Sequence, residues 1–439
     1  MMIEQIAFGI ILCFAVYLIR KRVLEIKANI NLGKSNMLQG NVGRRFVTMA
    51  MVAFGQKKMF KRFIPAFLHF FIYVGFLVIN LEVLEFVIDG LAGTHRIFAP
   101  FLGGFYNVLM NTFEFLAVAV LIACIVMILR RNVLKINRFH SAEMTGWPKR
   151  DANIILVTEI VLMCAILLMN GADQVLQKSN PVYTSTGPLF FSGLLMSSLQ
   201  SLSPNTLVVI ERIAWWFHIV GILGFAVYIT YSKHLHIFLA FPNTYYANLE
   251  RPGHINSMPV VTSEVKLMLG LSGDENPPPS SPGRFGAKDI NDLPWNNLLA
   301  AYSCTECGRC TSECPANVTG KKLSPRKVMM DTRDRMEEVR KSLNKGGPGL
   351  NDGKTLLGNY ITKEEINACT SCNACVEACP VLINPLEIII EMRRYVAMEE
   401  SGSPASWNSM FQNIETNFAP WKFSPADRFR WADELKKQK

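Results

Sequence analysis

Eight of the eleven cysteines fall in two runs of identical spacing, Cys304-x2-Cys307-x2-Cys310-x3-Cys314 and Cys369-x2-Cys372-x2-Cys375-x3-Cys379, each followed by proline. Soft thiolates in fours hold zinc or iron–sulfur centres, and in an oxidising compartment they would pair as disulfides. Two complete runs closing on Cys-Pro have the spacing of paired cubes, in which three thiolates of a run hold one cluster and the fourth crosses to the other. The reading is two [4Fe-4S] clusters. Cys304, Cys307, Cys310 and Cys379 are expected on one, and Cys369, Cys372, Cys375 and Cys314 on the second. Each iron would then have its four ligands, so the clusters carry electrons and no catalytic residue is assigned. Thiolates in this number require a reducing compartment, the cytoplasm. Cys13, Cys124 and Cys164 stand alone in apolar runs and read as small buried hydrophobes.

Histidines supply a second chemistry. A haem b in a helical bundle takes one neutral imidazole nitrogen from each of two helices and hides its ring among apolar side chains. His69 lies in PAFLHFFIYVG, His218 in WWFHIVG, and His234 and His236 in YSKHLHIF. His218 and His236 are eighteen residues apart, five turns at 3.6 residues per turn, so both are expected on one face of a continuous helix about 27 Å apart along it. That suggests an inner haem on His69 and His236 and an outer one on His218. His95, in the loop sequence GTHRIF, is the candidate partner for His218 by its expected side of the membrane.

These residues need elements to hold them. The chain has 439 residues, 50% of them apolar, with a sharp division: residues 1–240 carry long apolar runs, and 270–439 are polar and rich in Pro and Gly. Segments 3–19, 63–88, 105–129, 152–169 and 207–231 have about the length a membrane-spanning helix needs. The first has neither a basic region before it nor a cleavage signal after it and reads as a retained helix. Lys and Arg number eleven in 20–62 and six in 130–150, but one each in 89–104 and 170–206. That alternation orients the N-terminus outside and the C-terminus in the cytoplasm. The net charge of +10 is explained by these loops, which argues against nucleic acid as a partner. Glu82, Glu85, Glu114, Glu159, Glu211 and Arg212 fall within the spans; Glu114 and Glu159 are candidates for a proton path.

Beyond the membrane half, NPPPSSPG within 272–300 reads as extended linker. Ser324-Pro325 and Asn384-Pro385 read as helix N-termini, and KGGPGLNDG at 345–353 as a helix stop. The expected fold class is mostly α: a bundle of about five transmembrane helices, then an α-helical dicluster ferredoxin domain. The expected domains are 1–240 (transmembrane, cytochrome b-like), 241–300 (linker), 301–400 (dicluster) and 401–439, an aromatic-rich tail suited to docking on the domain or a partner.

On these residues the first 240 positions resemble membrane cytochromes b of the nitrate reductase gamma-subunit type. Residues 300–400 resemble the dicluster domain of heterodisulfide reductases and of succinate and anaerobic glycerol-3-phosphate dehydrogenases. Joined in one chain, they resemble membrane-bound heterodisulfide-reductase-like iron–sulfur oxidoreductases. The resemblance implies haem ligands at His218 and His236. It would add two histidines on the second helix, where only His69 stands. It also implies exchange of electrons between membrane quinone and a cytoplasmic redox subunit, either a protein with cysteine-rich CCG domains or a flavoprotein. The alternative is a redox-coupled ion or proton transporter subunit, which would show a continuous polar path across the bundle. A bare anchor for the cluster domain would hold no haem.

Overall fold

The computed structural model describes residues 2–36, 40–251, 253–271, 284–422, 424–427 and 429–437, and the regular elements among them are helices. Five are long and apolar enough to cross a membrane: α1 (Met2–Ile30), α2 (Phe63–Ala92), α3 (Gly104–Asn132), α4 (Trp147–Leu176) and α5 (Pro204–Ile229). Each runs past the expected apolar core at one or both ends, because polar turns flanking a span continue the helix once the apolar stretch has nucleated it. α2, α3, α4 and α5 pack in sequence order, and α1 bridges α2 and α5. The α4–α5 contact is close enough that a Cβ at Gly221 would meet the Leu162 side chain at 2.7 Å. Backbone approach of this kind is how small residues bring membrane helices together. Cys124 is buried, as expected of a small hydrophobe, whereas Cys13 and Cys164 are exposed on the helix surfaces.

One expectation about α5 fails. The helix stops at Ile229, a 3-10 turn covers Lys233–Leu235, and a new helix α6 (His236–Tyr245) begins at His236 itself. The Thr230 hydroxyl donates back to the Val227 carbonyl at 2.7 Å. The Asp151 carboxylate on α4 then accepts from the Tyr228 hydroxyl at 2.5 Å and the Lys233 N–H at 3.2 Å, turning the chain out of the helix. His218 and His236 therefore do not share a continuous helix face.

The segment read as linker is also largely structured. Residues 272–283, which carry the proline series, lie outside the described residues. From residue 284 the chain is core: Ala287, Ile290 and Leu293 are fully buried, and α7 (Trp295–Ser303) adds Leu298. Each large apolar side chain buried this way contributes about 1.5–3 kcal/mol. Lys34 N–H donates to Leu293 O (2.8 Å) and Trp295 N–H to Lys34 O (3.0 Å), tying this segment to the end of α1. A proline-rich opening said nothing about the apolar pattern behind it. Gly286 sits here at φ +67°, and a Cβ would strike the Glu391 carbonyl and the Tyr395 N–H. Gly286→Ala is therefore expected to cost more than about 3 kcal/mol, since backbone atoms on both sides must shift. Thermal release of iron from the purified protein would read it as a lower midpoint.

α8 (Pro325–Asn344), capped by Ser324, and α9 (Pro385–Met398), capped by Asn384, frame the cysteine runs. Arg335 of α8 is fully buried between Asp289 (2.9 Å) and Asp352 (2.6 Å), pinning the 284–300 segment to the domain. The tail forms α10 (Ala405–Asn417) and α11 (Arg430–Lys437), neither with a buried residue. Trp407, Phe411, Trp421, Phe429 and Trp431 are exposed, and Phe423 lies outside the described residues.

Candidate electron-transfer centres

The two cysteine runs fold as conformational repeats. Glu306 and Ser371, each one residue before the second cysteine, both have φ +54°, and Gly308 and Asn373, one after it, have φ +71° and +62°. These left-handed turns curl each run so that backbone N–H groups point at sulfur. Ser371 N–H donates to Cys369 Sγ (3.4 Å) and Ile383 N–H to Cys379 Sγ (3.3 Å). Amides so aimed favour the added negative charge of a reduced cluster.

The sulfurs group across the runs. Cys304 and Cys310 interact electrostatically with Cys307 and Cys379, Cys310 also with Cys375, whereas Cys314 and Cys375 interact with Cys369 and Cys372. A cavity is lined by Cys304, Cys307, Cys310 and Cys379 together with Cys375, Met329 and Ile383. Burial, then the Glu306 carboxylate and the neighbouring thiolates, push Cys304 up to about 12; burial and neighbouring thiolates push Cys375 up to about 12 and Cys379 up to about 11. Four thiols so placed become thiolates together only with compensating positive charge among them, so the donor set suits iron. A mononuclear tetrahedral site would set its sulfurs about 3.8 Å apart. Among the described residues no three His, Cys, Asp or Glu side chains approach in that way. A cube spreads its thiolates over four irons and needs no such approach.

The first cysteine group faces the membrane bundle. Arg309, between Cys307 and Cys310, donates to the Met59 carbonyl just before α2 at 3.2 Å. Glu306 is ion-paired to Lys233 just before α6. Arg326, fully buried, binds the Arg138 carbonyl and Glu143 (both 2.6 Å) in the loop between α3 and α4. Arg62 reaches Glu313 at 2.5 Å. The second run also meets the loop before α2, where Lys58 and Lys61 pair with Glu377, while its Cys372 is exposed.

Three histidines lie on the segments that meet the first group, His236 facing the Lys233 carbonyl and Lys233 pairing with Glu306. The His69 and His236 rings are 6.4 Å apart between centroids, and those of His234 and His236 5.5 Å. An iron about 2 Å from a nitrogen of each of two imidazoles would hold the ring centres about 6 Å apart. His236 Nδ1 is 3.1 Å from the Lys233 carbonyl, which fixes Nδ1–H as donor and leaves Nε2 its lone pair. His69 Nδ1 is buried with no hydrogen-bond partner. Burial followed by the His236 and His69 rings holds His234 down at about 3, and burial also lowers His236, so both are neutral as metal ligands must be. The sequence reading placed His234 in the neighbourhood without assigning it a role; the helix break at Ile229 is what turns its ring inward.

His218 is 2% exposed, with Nδ1 3.0 Å from the Leu162 carbonyl and Phe86 edge-on at 5.9 Å. The expected partner is not beside it. His95 Nε2 lies 3.1 Å from Asp173, His95 Nδ1 accepts from Thr184 N–H at 3.2 Å, and its ring stacks edge-on against Tyr183. Both nitrogens are engaged by protein, so the pairing of His95 with His218 is corrected. A loop on the expected side did not imply proximity, because Asp173 on α4 captures it.

His95 belongs to a buried polar network at the far end of the bundle. Arg96 reaches Asn170 (2.6 Å), Glu82 and Asp173 (both 3.3 Å). Glu85 accepts from Tyr106 (2.6 Å) and the Phe98 N–H (2.9 Å). Glu114 is fully used by the Phe191 and Ser192 N–H groups and the Ser192 hydroxyl, so it anchors a loop. Glu159 lies beside Cys124 with no hydrogen bond or ion pair among the described residues. Between these levels the bundle is filled by Ile79, Phe86, Leu116, Val120, Leu162 and Ile219.

Residues 303–383 match the 4Fe-4S dicluster domain family. The chain is 28% identical to the probable iron-sulfur-binding oxidoreductase FadF of Bacillus subtilis, covering 98% of this chain and 61% of that protein. It is 26% identical to the EtfAB:quinone oxidoreductase of Syntrophomonas wolfei, covering 90% of this chain and 54% of that one. A probable membrane-anchored ferredoxin of Chromohalobacter salexigens is 31% identical over 34% of this chain and 24% of its own length. The chain thus spans between about half and three-fifths of the two long relatives. No solved structure matches it. Five spans and a matched cluster domain outside them make this a multi-pass membrane protein with an extramembranous iron–sulfur domain.

Proposed function

We propose that the chain is the electron-transfer subunit of a quinone-linked oxidoreductase, passing electrons between the membrane quinone pool and a cytoplasmic redox partner. The observation that carries this is the placement of the first cysteine group against the His69–His234–His236 cluster, with the second group facing solvent at Cys372. When bound, haem b and two [4Fe-4S] clusters supply one-electron carriers in that order. His69 and His236 would hold the haem, and the eight cysteines the cubes in the crossed assignment. Quinone takes two electrons and two protons, so one-electron carriers must deliver to it in two steps. The similarity to an EtfAB:quinone oxidoreductase favours an EtfAB-like flavoprotein over a CCG-domain iron–sulfur protein as partner. The cluster domain lies in the cytoplasm by the loop charges.

The transporter reading finds less support, because the polar network stays at the far end and apolar side chains fill the bundle beyond it. Anaerobically purified protein should yield about eight non-haem irons and eight acid-labile sulfides per chain. Its haem should be reduced by the cubes and reoxidised by added quinone. Zinc in place of labile sulfide, or a haem that quinone leaves reduced, would overturn the proposal.

A further inference from the structure

We infer that the buried ion pair between Glu306 and Lys233 sets the reduction potential of the membrane-facing cube and registers it against the histidine cluster. The inference rests on the cluster reading above. Glu306 stands between Cys304 and Cys307 in a left-handed conformation and is 3% exposed. One carboxylate oxygen takes Lys233 and the other Arg333 at 2.8 Å. Lys233 is 8% exposed; its ammonium also donates to the Pro148 carbonyl at 2.6 Å and lies 4.0 Å from Asp151. The Lys233 carbonyl is the group that His236 Nδ1 faces. A chain of one peptide, one side chain and two hydrogen-bonded contacts therefore joins the imidazole to the first cysteine loop.

The cube loop itself does not require the acid. The matching position in the second run is Ser371, with the same φ of +54°, and that run meets the membrane half through other residues, Glu377 with Lys58 and Lys61. The carboxylate is present only in the run that meets Lys233. Burying two charges is costly, and a pair broken on one side leaves the other uncompensated in a low-dielectric site. Reduction of a cube adds one electron, and no bond or proton need move. A fixed negative charge one residue from Cys307 and two from Cys304 disfavours that electron, and the ammonium behind it favours it.

The two charges thus act with opposite sign, which a purely structural contact would not. In a potentiometric titration followed by electron paramagnetic resonance on the full chain in detergent, Glu306→Gln is expected to raise the potential of the first cube. Lys233→Met is expected to lower it. The second cube stays fixed in both, and the double variant returns toward the wild-type value. Shifts of the same sign, shifts shared by both cubes, or none at all would overturn the inference. Where Glu306→Gln fails to assemble its cube, Lys233→Met, outside the cysteine loop, decides alone: a downward shift confined to the first cube supports the inference and no shift overturns it. Wild-type protein without any four-iron signal would sink the cluster reading itself, a result distinct from intact clusters whose potentials do not move.

Discussion

Cys310→Ser is expected to remove the membrane-facing cube and spare the other, whereas Cys314→Ser, four residues along the chain, should do the reverse. Each variant should lose about four of the eight non-haem irons. Cys310 interacts with Cys307, Cys304 and Cys379 and, less strongly, with Cys375, and Cys314 with Cys369 and Cys372. The short helix Arg309–Ser312 turns the chain between them. The remaining cube identifies itself by access, because Cys372 is exposed while Cys304 is buried. A membrane-impermeant chelator should strip iron quickly from Cys310→Ser and slowly from Cys314→Ser. Loss of the same cube in both variants would mean that each run holds its own cluster, and the crossed assignment would fall.

The cluster domain was legible because thiolate spacing is a local, covalent signal, and residues 303–383 match the 4Fe-4S dicluster family. The spans were legible for a similar reason, since a backbone in hydrocarbon must bond to itself and needs about twenty apolar residues to do so. The failures are tertiary. The pairing of His95 with His218 assumed that two residues on one side meet, but Asp173 and Thr184 hold the imidazole elsewhere. The continuous fifth helix assumed that apolar sequence propagates, and nothing local to 229–236 announces that Asp151, some eighty residues earlier, will accept from Tyr228 and Lys233 and end it. Glu306 gave no signal either. Its meaning appears only once Lys233 is seen across the domain boundary and Ser371 at the matching position.

The break after α5 carries its own consequence for haem. Because His236 starts a separate helix, its ring is aimed at His69 and not along the face that bears His218. His69→Leu and His236→Leu are each therefore expected to abolish the low-spin bis-histidine haem b completely, a difference between all and none in the reduced-minus-oxidised spectrum. His218→Leu should leave that signal in place, since no second imidazole stands beside His218 and its near neighbours are Phe86 and the Leu162 carbonyl. His95→Gln should likewise keep the haem, as its nitrogens serve Asp173 and Thr184. Pyridine extraction of each variant counts what the spectrum shows. Retention of the bis-histidine signal in both His69→Leu and His236→Leu would refute the pair, and its loss in His218→Leu would place the ligand set a level deeper in the bundle. His234→Gln discriminates the remaining arrangement: its ring lies 5.5 Å from His236, so survival of the signal there assigns the iron to His69 and His236, and its loss transfers one of the two bonds to His234.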